Sequence, residues 1–117
     1  DWSSDVCSSD LAIKYAEDRA GLIAALADGR IDIIATDHAP HTWEEKQGEY
    51  SNAPAGLPLV QHALPTLFDQ VKTGNMTLEQ VVQKTAHNPA IRYGVLDRGY
   101  IREGYFADLV LVDLNAL

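Results

Sequence analysis

The stretch IDIIATDHAPHTWEEK, residues 31 to 46, sets chemically capable side chains directly after an apolar run. Asp37 follows the run, His38 and His41 come next, and Glu44 and Glu45 lie a few residues further on. A carboxylate at the end of a rigid strand suits both metal binding and proton transfer, because the sheet fixes where it sits. His41 can donate a hydrogen bond to an anionic substrate or serve as a ligand. The spacing alone also fits a plainer arrangement, with Asp37 capping a loop and both histidines exposed.

The elements around this stretch must place it. EDRAGLIAALADG opens with acids, carries Leu22, Ile23 and Leu26 at helical spacing and stops at Gly29, which is the polarity of a helix. IDIIAT is β-branched and nearly all apolar, as expected of a strand buried on both faces of a parallel sheet. Residues 37 to 56 hold Pro40, Gly48, Asn52, Pro54 and Gly56 without a convincing period, and read as a long loop of the functional kind. A second helix is expected from about Leu57 to Lys72, with Val60, Leu64, Leu67, Phe68 and Val71 on one face. Thr77 then opens TLEQ, a capping box, and that helix should run to HNP at 87 to 89. Pro89 suits the first turn of a further short helix over Ala90 to Tyr93. The tail GYIREGYFADLVLVDLN predicts a Gly-containing turn and then a strand, ADLVLVD.

Composition narrows the class. The chain has 117 residues, 46% hydrophobic and 22% charged, which is ordinary for a globular protein. A net charge of −8 argues against a nucleic-acid or anionic-membrane surface, since both call for a basic footprint. No apolar run approaches the roughly 20 residues of a membrane helix. The single cysteine, Cys7, forms no internal disulfide, so a reducing, cytoplasmic setting is expected. The opening DWSSDVCSSDL has no period and resembles the in-frame translation of a sequencing-library adapter. Residues 1 to 11 are accordingly set aside as non-native, a natural tail being the alternative.

Helix, buried strand, long loop, two helices and then β is an α/β order. A strand that ends in chemistry and is followed by a loop and a helix is one βα unit, of the kind that puts active sites at the carboxyl ends of strands. A closed (β/α)8 barrel takes roughly 200 residues or more, so a chain of this length holds only the C-terminal part of one. The expected organisation is a barrel segment over 12–95 and strands of a small flanking β-domain over 96–117.

IATDHAPH at 34 to 41, with DRAGLIAALADGRID before it and REGYFADLVLVD near the end, resembles the C-terminal part of a dihydroorotase. The likeness is to the class I type within the amidohydrolase superfamily and runs from Ala12 to Leu117. It implies a TIM barrel with one or two Zn2+ ions. The implied reaction is reversible hydrolysis of L-dihydroorotate to N-carbamoyl-L-aspartate in pyrimidine biosynthesis. Carried over by residue, it implies that Asp37 ligates zinc and acts as general acid/base, and that His41 contacts the substrate carboxylate. Ala55 and Gly56, in APAG, would offer backbone groups to the dihydropyrimidine ring. Lys14 falls where many relatives have an Arg after an Asn-Pro pair. Homodimerisation, or association with aspartate transcarbamoylase, is the implied partner chemistry beyond the small-molecule substrate.

The likeness has gaps. Leu59, Val60, Gln61 and His62 stand where many class I members carry Gly-Leu-Glu-Thr. The His-x-His pair, the modified lysine and two further histidines of the family site belong to earlier strands and are absent here. The isolated chain is therefore expected to be inactive, one carboxylate being no substitute for a full ligand set. The alternatives are another cyclic amidohydrolase, such as an allantoinase or hydantoinase, and a non-catalytic dihydroorotase-like subunit. Of the remaining candidates, His38 is expected to be structural, His62 to be a packing or surface residue, and His87 to cap a helix junction. Trp43 and Tyr50 fit either a lid or ordinary loop packing. Glu44 and Glu45 fit a solvated segment or a second acid pair.

Overall fold

The computed structural model describes Ile13 and residues 15–116; the segment 1–11 and Lys14 lie outside the described residues. Helix α1 spans Ala16–Ala27, with Glu17 and Asp18 in its first turn and Gly29 at φ 84 just past its end. Only glycine takes that φ without a Cβ penalty, which is why the helix stops there. Helix α2 is a single turn, Trp43–Lys46, inside the stretch expected to be loop. TWEE carries the same Thr-x-x-acid pattern as TLEQ. Thr42 Oγ1 accepts the Glu45 N–H, and Glu45 Oε2 accepts the Thr42 N–H.

Helix α3 spans Ala63–Lys72, six residues later than the apolar pattern suggests. Pro65 explains the delay. It has no N–H to donate, so a helix running through Gln61 would lose a bond and set the ring against that carbonyl. Starting at Ala63 puts Pro65 in the first turn, where no bond is needed, and the Thr66 N–H then reaches His62 O at 3.0 Å. Helix α4, Leu78–Val82, begins on the expected Thr77–Gln80 capping box. It does not end at HNP. A π turn over Gln83–His87 carries the chain straight into α5, Asn88–Tyr93. A regular α-turn would press the Pro89 ring on the Thr85 carbonyl; the wider turn shifts the register, with the Asn88 N–H donated to Gln83 O.

The core lies between these helices. Leu67, Phe68, Met76 and Val81 form one buried cluster, against which Leu26, Ile34, Leu64, Val71 and Leu114 pack. α3 and α4 thus bury their apolar faces on each other and on Ile34 of the 31–36 segment.

The expected strands form no ladder among the described residues. Over 31–36, hydrogen bonds come instead from the helical block. The Ile34 N–H donates to Lys84 O at 3.1 Å, the buried Lys84 Nζ donates to Ile31 O, and Asn88 Nδ2 donates to Asp32 O at 2.7 Å. Among the described residues the one β-bridge is an isolated parallel pairing of His38 with Leu57. ADLVLVD stays unpaired too, with Leu109, Val110 and Leu111 exposed. A strand has no internal hydrogen bonds and takes its partners from neighbouring strands, which neither segment finds among the described residues. The tail is closed by the Phe106 N–H on Asp97 O and by the Arg98–Asp108 ion pair. Its turn seats Gly99 against α5, where a Cβ would lie 2.5 Å from the Ala90 Cβ.

Candidate functional site

The 31–36 segment delivers Asp37 in the left-handed region, at φ 46. Asp is among the few non-glycine residues that tolerate this, and the turn is braced by the His38 N–H donated to Thr36 Oγ1 at 3.2 Å. Asp37 is left exposed beyond the apolar run.

From there two loops are locked together. The Ala39 N–H donates to Leu57 O at 3.0 Å, and His38 Nδ1 accepts the Val60 N–H at 3.2 Å. With Nδ1 accepting, neutral His38 carries its proton on Nε2. Gly56 is buried against Ala39 at φ 109; a Cβ there would lie 2.5 Å from the Ala39 Cβ and 2.7 Å from its carbonyl oxygen. Only glycine fits that approach, so HAPH and APAG meet because residue 56 lacks a side chain.

Helix α2 holds the same junction from the other side. Lys46 Nζ donates to the carbonyls of Pro54 and Gly56, the latter at 2.8 Å. One residue earlier, Glu45 Oε2 lies 3.5 Å from His41 Nδ1. The Thr42 N–H on Glu45 holds that carboxyl below its ordinary 4.5, and the charge of His41 acts in the same direction against desolvation.

The structure therefore draws together His38, His41, Glu45, Lys46 and Gly56, while Asp37 and Ala55 stand exposed at the edges of that junction. Lys46 was not expected to touch the site, and Glu45 was expected only as part of a solvated segment or a second acid pair. Their signal was the capping box in TWEEK, which makes a helical turn out of loop and aims consecutive residues at separate loops. His87 departs from its expected capping role. It makes no cap bond at α5 and stacks on the Tyr100 ring, centroids 4.2 Å apart. His62 is exposed before α3, and Trp43 and Tyr50 are exposed at 75% and 89%, so neither aromatic covers the junction.

Among the described residues, no three His, Cys, Asp or Glu side chains gather in a group that could hold a metal ion. The residues present do not amount to a zinc site by themselves. What the arrangement offers is an exposed carboxylate, a carboxylate-backed imidazole and fixed backbone groups around one small junction. No helix among them is long and apolar enough to cross a membrane.

The sequence profile of the Amidohydrolase family matches residues 4–117. The chain is similar to the curated dihydroorotase of Halobacterium salinarum, 50% identical over 95 residues, covering 81% of this chain and 22% of that protein. It is 45% identical over 102 residues to the dihydroorotase of Clostridium acetobutylicum, covering 86% of this chain and 24% of the relative. Against the dihydroorotase of Bacillus cereus strain B4264 it is 48% identical over 104 residues, 88% of this chain and 24% of the relative. The chain thus spans about a quarter of the length of the curated relatives it matches.

Proposed function

The chain belongs to the amidohydrolase family, and on that premise we propose that the whole protein is a dihydroorotase, hydrolysing L-dihydroorotate reversibly to N-carbamoyl-L-aspartate. The observation that carries this is the junction of HAPH and APAG, in a chain whose curated relatives at 45–50% identity bear that name. In the hydrolytic direction, water oxygen bonds to the ring carbonyl carbon, the ring C–N bond breaks, and the water's proton passes to the leaving nitrogen. Asp37 is the proposed carrier of that proton, since a carboxylate on a fixed backbone can take it and return it. His41 is proposed to hold the substrate carboxylate, and the backbone of Ala55 and Gly56 to hold the ring, which orients the carbonyl for attack.

A zinc ion in the whole protein, one or two per site, would take Asp37 as a ligand. The remaining ligands would come from outside the described residues. This reading places 12–95 in a (β/α)8 barrel, with Asp37 at the end of one of its strands, 96–117 in a flanking β-domain and 1–11 foreign to both. The same reading makes the protein cytoplasmic and part of pyrimidine synthesis, as a homodimer or beside aspartate transcarbamoylase.

The test is turnover by the full-length protein, purified with its metal, on dihydroorotate, allantoin and hydantoin in parallel. Dihydroorotate should be preferred by at least about 100-fold in kcat/KM, since the site pairs a charged group that the other two substrates leave unpaired. Preference for allantoin or hydantoin would replace this reading with that of another cyclic amidohydrolase. Turnover of none would favour a non-catalytic subunit.

A further inference from the structure

We propose that the single-turn helix α2 is a positioning device: Glu45 orients His41, Lys46 orients the Ala55–Gly56 backbone, and so one rigid turn sets the distance between the two groups that grip the substrate. The inference rests on the dihydroorotase reading for what is gripped, and on the geometry for what does the setting.

Glu45 and Lys46 are consecutive and point to different loops. Glu45 Oε2 is shared between the Thr42 N–H at 2.7 Å and His41 Nδ1 at 3.5 Å, so the carboxylate that starts the helix also faces the imidazole. Lys46 is half-buried and spends its ammonium on two main-chain carbonyls, Pro54 O and Gly56 O, on either side of Ala55. A lysine so placed fixes the direction of the intervening peptides. Both contacts start from a turn whose N-terminal end is closed by the Thr42 capping box. Neither residue reaches a reacting atom; each acts through a neighbour, as supporting residues around functional groups commonly do.

The test is a double-mutant cycle in the full-length enzyme. Glu45→Gln keeps the capping acceptor while removing the charge, and should raise KM for dihydroorotate about 10-fold with kcat within a factor of about three. In a His41→Ala background the same change should cost less than a factor of about two, because the residue it acts through is gone. Lys46→Met should lower kcat/KM between about 10- and 100-fold, with Lys46→Arg recovering most of the loss. Equal costs of Glu45→Gln in both backgrounds would overturn the Glu45 half. Failure of Arg to rescue would overturn the Lys46 half.

A readout without substrate keeps the inference separate from the reading it rests on. Hydrogen exchange at the Ala39 and Val60 amides, which bridge the two loops, should speed up at least about 10-fold in Lys46→Met. Unchanged exchange would sink the positioning role even in an active enzyme. Faster exchange in a protein that ignores dihydroorotate would instead remove the substrate and leave the device.

Discussion

The tail over 106–112 is more apolar than the block from α3 to α5, yet it is the block that buries its apolar side chains. Leu67, Phe68, Met76 and Val81 are buried, while Leu111 is 101% exposed and Leu109 and Val110 are exposed with it. A helix closes its hydrogen bonds within its own sequence and needs only one apolar face covered, which α3 and α4 provide for each other. A strand must borrow both its hydrogen bonds and its cover from other segments. The 31–36 segment falls between the two, because Lys84 and Asn88 lend it side-chain and backbone partners. Apolar sequence therefore makes core here only where the chain also supplies the neighbour.

Four perturbations would break or sharpen that contrast. Phe68→Ala should cost the most, about 3–5 kcal/mol in urea unfolding of the chain, since it empties the centre of the buried cluster. A loss as small as that of a surface change would mean the helical block is not the core. Gly56→Ala should cost about 1–3 kcal/mol, because the added methyl meets the Ala39 carbonyl oxygen and side chain and the loops must part. The loss should appear first as faster exchange of the Ala39 amide.

A smaller, local effect comes from pH. The folded state holds the Glu45 carboxyl below its ordinary 4.5, so its contribution to α2 is complete above that value and fades as pH falls through the depressed one. The Thr42 amide resonance in NMR should follow this titration, with a midpoint under 4.5 that Glu45→Gln abolishes. A midpoint at or above 4.5 would contradict the Thr42 bond. Least affected should be Leu111→Ser, within about 0.5 kcal/mol in the isolated chain, because the side chain is already in water. A cost of 2 kcal/mol or more, roughly that of uncovering a buried leucine, would show that the tail has found a partner.

The helical features were legible in the sequence because their signals are local. Thr77 and Gln80 form the cap that TLEQ announces, and Gly29 ends α1 where the pattern stops. α2 hid in plain sight, since TWEE carries the same cap but sits among Pro and Gly residues that read as loop. Pro65 held the information that α3 begins late, although the apolar spacing from Leu57 overruled it. The π turn had no such mark beyond Pro89, because its width answers a carbonyl clash that appears only when the helix is built through it. In the site, the side-chain types of Asp37 and His41 could be read directly. The grip of Lys46 on Pro54 and Gly56 could not, as it spans 8 and 10 residues across a loop with no period.

Asp37→Asn in the full-length metal-loaded protein tests most directly the proposal that Asp37 carries the transferred proton. Asn keeps the tolerance for the left-handed backbone at φ 46, so the change removes the acid and leaves the turn. With metal content and folding matched to the unsubstituted protein, kcat on dihydroorotate should fall between about 100- and 10,000-fold. A variant that retains its metal and turns over within a few-fold of the original would contradict the account.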